Sequence, residues 1–93
     1  MVEHENRERF VQVSVVTTSG IYPKEGFEEV PAHQKVRVQL HKAAQHLKIA
    51  DTTNWVAVVG NREINVEASY EENGLSGRVD IDYGPREGGG GNA

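Results

Sequence analysis

The chain has 93 residues, no cysteine and a formal net charge of -4, from 14 acidic and 10 basic side chains. The length fits one small domain. The lack of cysteine excludes disulfide staples, thiolate metal sites and a cysteine nucleophile. No cluster of Lys and Arg stands out, which argues against phosphate-driven nucleic-acid binding. No run of about 18 apolar residues is present to span a membrane. The charged start, residues 1–9, lacks the apolar stretch of a signal peptide. A cytoplasmic location is therefore expected.

Residues 1–9 read as a solvated, flexible arm. The segment 10–18 is rich in β-branched residues, and Val11, Val13 and Val15 share one face of a strand. Ser19-Gly20 reads as a turn. Pro23 and Gly26 make the next stretch irregular, with a second strand expected over 27–30. Residues 35–49 carry the clearest periodicity. Val36, Leu40, Ala43, Ala44 and Leu47 fall on one face of an α-helix, and Arg37, Gln39, Lys42, Gln45 and Lys48 fill the other positions. The turn formers Asp51, Thr52, Thr53 and Asn54 end it. Residues 55–59 form an apolar strand, with Trp55 expected in the core. Gly60, Asn61 and Arg62 turn into a short return strand over 63–66. Tyr22 and Tyr70 are expected to be partly exposed. Val79, Ile81 and Tyr83 alternate with Asp80 and Asp82 in a last strand. Gly84, Pro85, Arg86, Glu87 and a run of four glycines follow.

One helix over a mixed sheet of four or five strands is a two-layer α+β domain. The first and last long strands fit side by side at its centre.

This order, ending in the last alternating strand and then Arg86-Glu87-Gly88-Gly89, resembles the ubiquitin-like modifiers of the β-grasp fold. The resemblance covers roughly residues 10–91, and the tail is its specific part. It is most similar to divergent bacterial ubiquitin-like proteins. Those are encoded beside activating-enzyme, conjugating-enzyme and peptidase homologues, in operons that look like antiviral defence islands. The resemblance implies an arm at 1–9, a β-grasp domain at 10–83, and a flexible tail at 84–93 with a removable Asn92-Ala93 extension.

It also implies a role for the tail. In such modifiers the C-terminal carboxylate attacks the α-phosphate of ATP in an activating enzyme. The acyl-adenylate passes to a nucleophile, and then to a lysine amine or a hydroxyl of a target. Gly88, Gly89, Gly90 and Gly91 would let the tail thread a narrow channel, because glycine alone permits such close backbone approach. Cleavage is expected after Gly91, although Gly89 or Gly90 would serve as well. Arg86 and Glu87 are candidates for recognition by partner enzymes. The implied partners are an activating enzyme, a conjugating enzyme, a processing peptidase and target proteins. The chain itself needs no catalytic residue, cofactor or metal, since ATP is used by the activating enzyme.

A glycine run is also what a flexible linker looks like. Two other functions therefore stand beside conjugation: a sulfur carrier with a C-terminal thiocarboxylate, and a non-conjugated protein-binding module. His41 and His46 are five residues apart, unlike a helical zinc pair, and His4 and His33 fall in the arm or a loop. Ser14, Ser19, Ser69 and Ser76 sit in no nucleophile-elbow motif. The acidic turn 71–74 lacks calcium-loop spacing. Lys24, Lys35, Lys42 and Lys48 are candidate acceptors for chain formation. In ubiquitin-like folds the exposed sheet face is the usual recognition surface, and here it would carry Arg78, Asp80 and Asp82.

Overall fold

The structure, a computed structural model, describes residues 9–86. The arm at 1–8 and the tail residues 87–93 lie outside the described residues. The elements are β1 (Phe10–Thr17), β2 (Gly20–Tyr22), β3 (Glu28–Pro31), α1 (Val36–His46), β4 (Trp55–Val59), β5 (Arg62–Glu63) and β6 (Arg78–Pro85). The strands make one mixed sheet in the order β2-β1-β6-β4-β5. The strands β1 and β6 run parallel at its centre, from Gln12 opposite Arg78 to Val16 opposite Asp82. The other pairs are antiparallel.

The alternation in β1 and β6 builds the core. Val11, Val13, Val15, Val79 and Ile81 point to one face, where Val36, Leu40 and Ala43 of α1 cover them. Burying this one face of the sheet against the stripe of α1 is the main source of stability.

Several boundaries differ from the sequence reading. The second strand is split: β2 pairs with Val15, Val16 and Thr17, and β3 pairs with the other end of β1. Pro23 has no N–H to give a ladder and Gly26 has φ 74°, so the segment between them leaves the sheet. The turn of the first hairpin is Thr18-Ser19, held by the Ser19 amide donating to Thr17 Oγ1 at 2.9 Å. Gly20 is in β2. The return strand shrinks to Arg62–Glu63, because the Asn65 amide donates instead to Asn73 Oδ1 at 2.9 Å. Its hairpin turns on Gly60 and Asn61, whose φ values of 57° and 72° match a type I′ turn.

The helix is shorter than 35–49. Lys48 adopts φ 60°, and the Ile49 amide reaches back to the Ala44 carbonyl at 2.9 Å, closing the helix end. Gln39, expected on the solvent side, is 1% exposed. It lies between Val36 and Ala43 on the buried stripe, and its amide donates to Glu28 Oε1 at 2.8 Å. Tyr70, expected to be partly exposed, is fully buried. Trp55, expected in the core, is half-buried and outside the core cluster, packed edge-on to Tyr83 with ring centroids 5.0 Å apart. The last strand does not stop at Tyr83. Gly84 and Pro85 pair with Val56 and Trp55, and the Arg86 amide donates to the Asn54 carbonyl at 3.0 Å.

Gly20 has φ 137°, and a Cβ there would lie 3.1 Å from Leu47 Cδ2. Gly20→Ala should therefore lower stability by about 1–3 kcal/mol, from backbone strain and crowding. A urea midpoint unchanged from the parent would show that neither contact nor strain matters there.

Candidate functional site

The sheet face away from α1 is open. The strand registers place one row across it: Ile21, Val16, Asp82, Val58 and Glu63, on β2, β1, β6, β4 and β5. The next row carries Gly84 beside Val56. Ile21 is 47% exposed, and Val16, Val56 and Val58 are half-buried. No side chain fills the space over Gly84. A shallow groove of about 550 Å³ results, lined by Val16, Val56, Val58, Asp82, Gly84 and Arg86 among others.

The opposite half of this face is polar. Arg78, Asp80 and Gln12 are exposed there, whereas Ser14, opposite Asp80, is buried in the sheet. The Arg78 guanidinium pairs with Asp80 at 3.7 Å and lies 4.2 Å from the Phe27 ring centroid. Thus Arg78, Asp80 and Asp82 occupy the exposed face, as the alternation in the last strand predicts.

Arg86 stands where the described chain leaves the sheet. Its Nη2 donates to Glu63 Oε2 at 2.9 Å, on β5. Both side chains are exposed, so the pair adds little to stability. It does fix the direction of the guanidinium at the root of the tail. Glu87, Gly88, Gly89, Gly90 and Gly91 lie outside the described residues.

The other candidates are dispersed. Lys24, Lys35 and Lys48 are exposed, but Lys42 is tied to Glu28 Oε2 at 2.6 Å. That pairing makes Lys42 the least available acceptor of the four. His46 stacks on Tyr22 with centroids 4.5 Å apart, and His33 and His41 are exposed. Among the described residues, no three His, Asp or Glu side chains come together as metal ligands would. No described helix is long and apolar enough to cross a membrane.

The valines of the open face were not among the expected functional residues. Their signal was present: residues 56, 58 and 59 are all valine, so the strand is apolar on both faces. A strand covered by a helix on one side only must then show one valine set outward.

The helix layer, the parallel central pair and the open face together define a ubiquitin-like β-grasp fold. Solved structures carry the same fold. A de novo design based on ubiquitin superposes with a TM-score of 0.64 at 15% identity, over 89% of this chain and 96% of that one. The solution structure of an N-terminal ubiquitin-like domain matches with a TM-score of 0.61 at 14% identity, over 100% and 92% of the two chains. The ubiquitin of Caldiarchaeum subterraneum matches with a TM-score of 0.58 at 13% identity, over 87% and 99%. At these identities the likeness is one of fold. No protein-family model matches the sequence, and no curated protein matches it.

Proposed function

We propose that this chain is a ubiquitin-like protein modifier, made as a precursor and conjugated through its glycine tail. The observation that carries the reading is where the last strand stops. Among the described residues the last ladder hydrogen bond belongs to Arg86, and the glycine run begins two residues later, at Gly88. In the sequence the glycine run thus begins three residues after Pro85, where the central strand β6 ends. A peptidase removes Asn92-Ala93, an activating enzyme adenylates the new carboxylate of Gly91, and a conjugating enzyme passes it to a target. Arg86, held over the sheet by Glu63, offers a charged contact at the tail root. The chain supplies no catalytic residue in this scheme. A cytoplasmic, bacterial, antiviral setting follows from the resemblance of the tail and fold to operon-encoded modifiers.

The test uses the protein in its native host. The recovered chain should be shorter by Asn92-Ala93, and part of it should be covalently attached to other proteins. Replacing Gly88, Gly89, Gly90 and Gly91 with valine should abolish the adducts and leave the melting temperature unchanged. Undiminished adducts, or an untrimmed chain without adducts, would overturn the reading. The latter result would favour a non-conjugated binding module instead. A tail-less control must end at Arg86, since truncation at Tyr83 removes the paired Gly84 and Pro85.

A further inference from the structure

Asp82 is the anomaly of the open face. Its cross-strand neighbours on either side are Val16 and Val58, each roughly 5 Å away across the ladder. The two arginines of this face are engaged elsewhere, Arg78 with Asp80 and Arg86 with Glu63. Among the described residues, Asp82 takes part in no ion pair. The carboxylate therefore stands alone in an apolar row that runs from Ile21 to Val58. We propose that this face docks a protein segment that presents apolar side chains around a single arginine or lysine, with the cation seated on Asp82.

The charge arrangement selects this occupant over others. A wholly apolar partner would cover Asp82 and strip its water without replacement, which is costly. An acidic partner or nucleic acid would meet Asp82 with like charge. A second copy docked face to face, with its two-fold axis at the centre of this row, would oppose Asp82 to Asp82. A cationic centre instead converts the liability into a charge-assisted hydrogen bond inside a ring of apolar contacts. The surrounding valines exclude water and make that bond stronger than on an open surface.

The inference does not depend on the tail, so its failure would leave conjugation untouched. Its test is a titration of the full chain, followed by amide chemical shifts. The probes are two amphipathic, helix-forming peptides that differ at one position, arginine or glutamate, at the centre of a leucine-rich face. The arginine peptide should shift the amides of Val16, Val58, Asp82 and Gly84, and bind at least about tenfold tighter than the glutamate peptide. Asp82→Asn should cost about tenfold in affinity for the arginine peptide, and Asp82→Lys should reverse the preference between the two. Dispersed amide spectra of both variants control for folding. Equal binding of the two peptides, no binding by either, shifts confined to another face, or an Asp82→Asn variant that binds as well as the parent would each overturn the proposal.

Discussion

Tyr70→Ala should cost about 3–5 kcal/mol, while Tyr70→Phe should cost nothing or stabilise by up to about 1 kcal/mol. The ring is fully buried, in the segment that packs on the start of α1. There the Glu71 amide donates to the Ala32 carbonyl at 3.1 Å, and the Leu75 amide closes back on the Tyr70 carbonyl at 2.8 Å. Removing the ring leaves a cavity that these bonded segments cannot collapse to fill. The hydroxyl is different, because among the described residues it has no hydrogen-bond partner. Its burial is a cost without an offsetting bond, so deleting it loses no interaction. Desolvation, with Glu28 adding repulsion, raises the Tyr70 pKa above the usual tyrosine value. The raised folded value means that the stability linked to this group is intact below about pH 10 and is lost as pH rises further. Tyr70→Phe should therefore hold its stability above pH 10 better than the parent. Thermal melts of the three proteins read all of this, with roughly 4–8 °C expected per kcal/mol. A Tyr70→Phe protein that melts ten degrees below the parent would show that the hydroxyl is bonded after all.

Glu28→Ala is expected to cost about 2 kcal/mol, and Glu28→Gln about half of that or less. Glu28 sits in β3 and ties the hairpin edge to α1. It accepts from Gln39 Nε2 at 2.8 Å and from Lys42 Nζ at 2.6 Å. Alanine would leave the buried Gln39 amide without its acceptor, which is the larger loss. Glutamine keeps an acceptor there and gives up only the partly exposed charge pair. Hydrogen bonding from Lys42 is the main cause that lowers the Glu28 pKa, with Gln39 and Tyr22 adding to it against desolvation. The lowered folded value means that its contribution is fully present above the ordinary glutamate pKa. It is lost as pH falls through the folded value, below about 4.5. Lys42 and Tyr22 are shifted the other way: Lys42 chiefly by its bond to Glu28, and Tyr22 chiefly by desolvation and then by Glu28. Their contributions last up to alkaline pH. Urea denaturation between pH 3 and pH 7 should thus show a gap between parent and Glu28→Gln that narrows toward the acid end. A gap independent of pH would mean that the carboxylate charge is not what ties β3 to the helix.

The two predictions concern places where local sequence is ambiguous. Gln39 is a polar residue on an apolar stripe, and nothing in the helix itself says whether it is solvated or satisfied inside. Only the register that brings Glu28 of β3 opposite the helix decides this. Tyr70 is similar: its neighbours Glu71 and Glu72 look like a solvated turn. Yet Ser69 and Glu72 exchange reciprocal bonds, with the Ser69 amide to Glu72 Oε1 at 2.9 Å and the Glu72 amide to Ser69 Oγ at 3.0 Å. That capping box turns the chain and drives the tyrosine inward.

The sequence by itself determined the element types and the aliphatic part of the core, but not the burial of Tyr70 or Gln39. The period-2 patterns around Val13 and Ile81 and the helical spacing of Val36, Leu40 and Ala43 are local, and they name the faces that meet. The candidate site was legible only in part: Asp80 and Asp82 could be placed outward from alternation, but not beside particular neighbours. Tertiary structure alone decided the rest. The helix start has no side-chain cap at Lys35. Its Val36 and Arg37 amides are satisfied by the Ala68 and Val66 carbonyls, about 30 residues away in the chain. The open face depends in the same way on four strand registers at once. Local sequence says which side chains share a strand face, but pairing with distant strands puts Val16, Asp82 and Val58 in one row and leaves that carboxylate without a cation among the described residues.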